Sequence, residues 1–226
     1  MTGPAGASSL PLARSERAAG LVLLPILSTL WFHLTPQATQ ENVLVQFLPQ
    51  ALSYLAFIVW GNLNGQVVQR LGLGVDRLRS GLVWGAIVGL ILGTINVLVI
   101  LEAAPQLGYD ITFLTETPHA RVPFWLMIPW FVLAIAIFVE LNFRGFILGR
   151  LLALSVPAPL AVLLSAVLFA FDPFMVVTFR YLHWIAVWDG IVWGMMWLRL
   201  TSLYAVITAH AVEVIIMYCV VRAVLN

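Results

Sequence analysis

Apolar residues in this chain come in long blocks separated by short clusters of polar, proline and glycine residues. A hydrocarbon core of about 30 Å takes roughly 20 apolar residues wound as a helix. Cutting the sequence at its interruptions predicts seven spans, at about 18 to 34, 43 to 60, 81 to 101, 122 to 147, 157 to 179, 181 to 198 and 203 to 225. The first two are short and the breaks around the last three are tight, so six or eight spans also fit. Lipid offers no partner to an unpaired backbone amide, so these runs must be helices. The predicted fold is therefore all-α, a polytopic transmembrane helix bundle. Three blocks follow: a disordered tail at 1 to 17, rich in Gly, Ala, Ser and Pro; transmembrane helices and loops from 18 to 121; and a transmembrane core from 122 to 226.

Within span 3, Gly81, Gly85, Gly89 and Gly93 recur every four residues, which lines four missing side chains along one ridge. Another helix can approach closely there. Residues 62 to 80 mix leucines with three arginines, which suits either a helix lying on the membrane surface or a solvated connection. Residues 102 to 121 read as an ordinary polar loop, with His119 not expected to be a ligand.

Composition fixes the solvent. Of 226 residues, 62% are apolar and 9% charged, against about a quarter charged in a soluble domain. All eleven basic residues are arginine, so lysine Schiff-base and lysine-phosphate chemistry are excluded. A net charge of +1 offers no concentrated basic face and no nucleic-acid partner. The single cysteine, Cys219, reads as packing. Arginines at 14, 17, 70, 77, 79, 144, 150 and 199 fall on one side of the predicted spans, with 121, 180 and 222 on the other. The positive-inside rule then predicts a cytoplasmic N-terminus in an inner (plasma) membrane. Arg14 and Arg17 before an apolar run also resemble a signal peptide, but an uncleaved first helix fits equally and no clear small-x-small cleavage site follows.

The charges inside the spans change the picture most. Spans 1 to 3 contain none, whereas spans 4 to 7 hold Glu140, Arg144, Asp172, Asp189, His210 and Glu213. Each costs at least about 2.5 to 3.5 kcal/mol at a helix centre on insertion scales. Either they pair between helices, or they line a polar cavity that does chemistry. Glu140 and Arg144 are one turn apart and can share a face; His210 and Glu213 are three apart and can pair likewise. At 1.5 Å per residue, Glu140 and His210 both lie roughly 10 Å from the same membrane surface, while Asp172 and Asp189 lie at about 20 Å. Asp172 and Asp189 can pair with each other or with His183, and Pro173 should bend or break span 5 beside them.

Residues 139 to 150, VELNFRGFILGR, resemble the EExxxR motif of the CPBP family, the CAAX proteases and bacteriocin-processing enzymes also called Abi. Residues 190 to 211, GIVWGMMWLRLTSLYAVITAHA, are similar to its Gly-rich helix, Leu-Arg-Thr step and Ala-His-Ala ending. The resemblance covers about residues 122 to 225. It implies an integral membrane endopeptidase, with bacterial relatives, in which glutamate and histidine activate water and no cofactor or metal shell is needed. The implied site is Glu140, Arg144 and His210, with Asp172 as a second acid/base and His183, Asp189 and Glu213 as possible support.

Three positions depart from the family pattern. Its first glutamate falls at Val139, its span 5 histidine is missing in either register, Phe169 with Pro173 four later or Leu168 with Asp172 four later, and its asparagine after His210 is Val214. Two repairs are open: Glu140 as general base with His210 donating to the oxyanion, or a polar set rebuilt around His183 and Asp189 in span 6. Besides lipid, the expected partner is a peptide or membrane-protein substrate. Two further readings remain, a silent scaffold of the same fold that grips a membrane partner, and a channel or transporter using the acids for protons or cations.

Overall fold

The computed structural model describes residues 16–225, and the tail predicted at 1 to 17 lies almost wholly outside them. All seven predicted segments are helical. The fifth is split in two, so the helices are numbered α1 Ala19–Leu34, α2 Val43–Leu63, α3 Leu78–Leu98, α4 Trp125–Ala153, α5 Ala158–Ala170, α6 Pro173–Phe179, α7 Ile185–Leu200 and α8 Leu203–Leu225. Among the described residues, four helical segments are long and apolar enough to cross a membrane: α2, the stretch Val67–Gln106 that contains α3, α4 and α8. The fifth is the pair Ala158–Ala170 and Pro173–Leu182, bent by 54°. α1 and α7 are shorter, which is where the structure differs from a count of seven full spans. The bend falls where Pro173 removes an amide, and Asp172 caps the new helix by accepting from the Phe174 amide at 3.0 Å. Leucines and isoleucines such as Leu27, Ile58, Leu82, Ile91 and Leu133 stay exposed along the helix flanks, as lipid-facing surfaces require. The chain is a multi-pass membrane protein.

The glycine ridge sets the central contact. α8 packs along α3 for most of its length, and a Cβ built on Gly89 would lie 2.5 Å from the Ala209 carbonyl oxygen and 2.8 Å from the Val212 Cβ. Only a missing side chain permits this approach, which brings the backbone beside His210 against α3.

Residues 62 to 80 do not form one continuous surface helix. After a short helix at Val67–Arg70 the chain clasps the α7–α8 turn: Leu203 donates to the Gly72 carbonyl at 2.9 Å and Tyr204 to the Leu73 carbonyl at 3.1 Å. Gly72 has φ +74°, and a Cβ there would meet the Thr201 carbonyl oxygen at 2.6 Å. At the same end Glu16 is buried against Arg150 and Arg70, and accepts from the Trp60 indole at 2.7 Å. The Arg150 guanidinium lies 3.7 Å from the Trp60 ring centroid.

The opposite end is closed by residues 109 to 123, which do not form an ordinary polar loop. Tyr109 stacks on Tyr181 at 4.9 Å, the Arg180 guanidinium covers Phe113 at 4.6 Å, and Arg222 donates to the Val122 carbonyl at 2.8 Å. These contacts press Ile111, Phe113 and Leu114 into a small core with the ends of α3, α7 and α8.

Candidate active site

A cavity of about 900 Å³ lies between α2, α4, the α5–α6 bend, α7, α8 and the closing loop. Its walls are mostly aromatic and aliphatic, with Asp172, Asp189, His119, His210 and Glu213 among the few ionisable groups. That balance suits a small set of polar groups acting on a largely apolar ligand. Neutral polar side chains from the first half of the chain also line it, notably Gln50 and Tyr54 of α2.

Glu140, Arg144 and His210 converge at one point, as their spacing and depth predict. One carboxylate oxygen, Oε1 of Glu140, accepts from Arg144 Nη1 at 3.0 Å and from His210 Nδ1 at 2.7 Å. The Arg144 guanidinium lies 4.8 Å from the Phe169 ring centroid and 5.0 Å from that of Trp193. It also approaches Gly190 so closely that a Cβ there would be 3.1 Å from Nη2. Trp193 stacks on the His210 ring at 4.4 Å and 21°, and Phe169 meets its edge at 6.0 Å. The imidazole is thereby fixed in position and plane. Glu140 itself is fully buried and is not on the cavity wall; Val139, Asn142 and Phe143 are. The cavity meets the set through His210, whose direct bond to Glu140 leaves no place for a water between them. Because a carboxylate oxygen accepts, Nδ1 is the donor in this bond, and Nε2 is left with a lone pair when the ring is neutral. Among the described residues Nε2 has no hydrogen-bond partner and is not one of the sealed, unpaired atoms, which include Glu140 Oε2 and Arg144 Nη2.

α4 is wound as a π-helix over Trp130–Ala136 and again over Leu141–Leu148, on either side of Glu140. Such insertions change which side chains face a neighbour, and they recur at functional sites. Here they accompany a phase in which Val139 faces the cavity and Glu140 faces Arg144 and His210.

His210 and Glu213 share a helix face but not each other. Glu213 instead joins a second cluster around Asn96 of α3, whose Nδ2 donates to Glu213 Oε1 at 2.9 Å and to Asp189 at 3.1 and 3.0 Å. Trp188 Nε1 donates to the Asn96 carbonyl oxygen at 2.9 Å, and since indole nitrogen is only a donor, the amide orientation is set. The last glycine of the α3 ridge, Gly93, packs on Glu213 and Ile216, which places Asn96 opposite the carboxylates. Asp172 pairs with neither Asp189 nor His183: its Oδ1 accepts from Gln50 at 2.8 Å and from the Phe174 amide. His183 does not line the cavity; its ring nitrogen bonds the Arg180 carbonyl. The second predicted repair, a site built on His183 and Asp189, therefore lacks one of its members.

Sequence reasoning missed Asn96 and His119. The buried His119 accepts from Trp130 Nε1 at 3.2 Å through Nδ1. Its ring sits among Trp130, Phe131, Phe174, Phe179 and Tyr218 at centroid separations of 5.5 to 6.4 Å. Burial, with a smaller contribution from His210, pushes its pKa down to about 4, so the ring is neutral at physiological pH. Only the aromatic residues that later surround it, spread over α4, α6 and α8, were visible as signals. Among the described residues no three His, Cys, Asp or Glu side chains stand together as a metal shell.

Residues 121–216 match the Rce1-like family model, described as type II CAAX prenyl endopeptidase Rce1-like. The match spans both motifs that carry the sequence resemblance, including Glu140, Arg144 and His210. No curated protein and no solved structure matches the chain closely enough to add to this.

Proposed function

We propose, from the Rce1-like match over residues 121–216, that this chain is an intramembrane endopeptidase of divergent chemistry in which His210 rather than a glutamate takes the proton from water. The observation that carries this is the 2.7 Å bond between His210 Nδ1 and Glu140 Oε1, with the ring on the cavity wall and the carboxylate behind it. A carboxylate so placed holds the tautomer that leaves Nε2 basic and stabilises the imidazolium as it forms. Arg144 holds that carboxylate in place through its 3.0 Å bond, and Phe169 and Trp193 hold the planes. Water held at Nε2 attacks the scissile carbonyl carbon; its proton passes to Nε2 and the carbonyl π pair to oxygen. Collapse breaks the C–N bond, and the proton on Nε2 goes to the leaving amine.

The substrate class follows from the family: a peptide carrying a prenylated cysteine near its C-terminus, its lipid seated among the aromatic walls. The test is cleavage of a fluorogenic farnesylated CAAX-type peptide by the full chain in lipid nanodiscs, alongside unprenylated peptides. Wild-type cleavage that falls about 1000-fold in His210→Ala, with folding retained, is expected. Absence of cleavage of any peptide sinks the proposal.

One observation favours a second reading. Val139 presents an apolar side chain to the cavity at the position of the motif's first glutamate. A silent scaffold that grips a prenylated or membrane-embedded segment would bind the same peptide tightly, leave it intact, and be indifferent to His210→Ala.

A further inference from the structure

Hydrolysis by His210 leaves negative charge growing on the carbonyl oxygen, and that charge needs a fixed donor. Asp172, Asp189 and Glu213 would repel an oxyanion, and the Gln50 amide already donates to Asp172. The Trp193 indole nitrogen is sealed away from the cavity. The donors that do line it include Tyr54, Asn142, Arg121, Arg180 and His119. Of these, His119 has its donating nitrogen fixed by the bond at its other ring nitrogen. Because the Trp130 indole can only donate, His119 Nδ1 must be the accepting nitrogen, and the single proton of the neutral ring is then on Nε2. Among the described residues that Nε2 has no hydrogen-bond partner and is not one of the sealed, unpaired atoms. The aromatic cage prevents the ring from turning, and it also keeps the ring from taking a second proton that would compete with His210.

Resting on the peptidase reading above, we propose that His119 is a catalytic residue of this site, supplied by the closing loop rather than by a span: its Nε2–H donates to the scissile carbonyl oxygen while His210 accepts the proton of water. Trp130 is a positioning residue that selects the donating tautomer. The pair acts as a neutral electrophile on one side of the peptide bond with a carboxylate-backed base on the other. The loop thus completes the site only when docked by the Arg222–Val122 and Tyr109–Tyr181 contacts.

The experiment uses the full chain in nanodiscs with the farnesylated peptide, and ¹⁵N-histidine NMR on the same samples. His119→Phe should lower kcat about 100-fold with KM changed by less than about twofold, and His119→Gln, which keeps a donor, should recover part of that loss. The NMR spectrum of wild type should show His119 protonated at Nε2 and bare at Nδ1. Trp130→Phe should mix the tautomers and lower kcat without altering His210. If His119→Phe turns over like wild type while His210→Ala is inactive, His119 has no such role and the peptidase reading stands. A proton on Nδ1 in wild type overturns the assignment even if His119→Phe fails to fold. A wild-type chain that cleaves nothing overturns both.

Discussion

Two polar clusters lie within one apolar bundle, and they are built differently. Around Asn96, a neutral amide uses both ends: it accepts from Trp188 and donates to Asp189 and Glu213. Around Glu140, a single carboxylate oxygen takes two charged or polarised donors, while Glu140 Oε2, Arg144 Nε and Arg144 Nη2 are sealed without partners. The first cluster is satisfied in the way a structural network is; the second keeps unpaired buried atoms, which a fold tolerates chiefly where they serve a site. The second also has its one free ring nitrogen at the cavity. On the proposed reading, Asn96 serves the architecture and His210 the chemistry.

Substitutions can break this contrast from either side. The largest effect is expected from Asn96→Leu, which leaves Trp188, Asp189 and Glu213 buried with one partner fewer. It should cost about 2 to 4 kcal/mol of stability in detergent unfolding, with turnover per folded molecule lowered much less than by His210→Ala. Gly89→Ala comes next. Its Cβ would collide with the Ala209 carbonyl and push α8 from α3, costing roughly 1 to 3 kcal/mol, and it should lower turnover by displacing His210. The contrast fails if Gly89→Ala leaves both stability and turnover at wild-type values.

The smallest effect is one of pH. His119 has a native pKa of about 4, below the ordinary histidine value, because burial disfavours its charged form. The unfolded chain binds a proton as pH falls through about 6.5 whereas the folded chain does not until about 4, so stability is lost on acidification across that window. Between about pH 7.5 and about pH 5.5 the loss should be on the order of 1 kcal/mol, and His119→Gln should remove it. An unchanged slope in that variant would show that the cage does not keep His119 neutral.

Much of the bundle is legible in the chain. Long apolar blocks mark the helices, Pro173 marks the bend, and the four-residue glycine spacing marks the α3–α8 contact. Spacing and depth also bring Glu140, Arg144 and His210 to one place. What could not be read is phase and neutrality. Nothing in the letters signals that α4 winds as a π-helix on both sides of Glu140, so a position counted as cavity-facing proved to lie behind the wall. Asn96 carries no charge and so escaped a search for intramembrane charges, although it joins both acids of its cluster. His119 was hidden by sitting in a polar stretch, because its aromatic cage comes from three helices remote in sequence. The clasp at 65 to 77 was equally hidden, since the carbonyls of Leu71, Gly72 and Leu73 meet the Trp197 side chain, the Leu203 amide and the Tyr204 hydroxyl, all remote in sequence.

In the proposed mechanism Glu140 and His210 act as one unit, the carboxylate through the ring. A double-mutant cycle on cleavage of the farnesylated peptide tests it most directly, comparing Glu140→Gln, His210→Ala and both together in matched folded samples. Residues that act as a unit give strongly non-additive losses. Glu140→Gln alone should lower kcat/KM by about 100-fold or more, and the double variant should be no worse than His210→Ala. Losses that multiply, or a Glu140→Gln variant that cleaves like wild type, would contradict it.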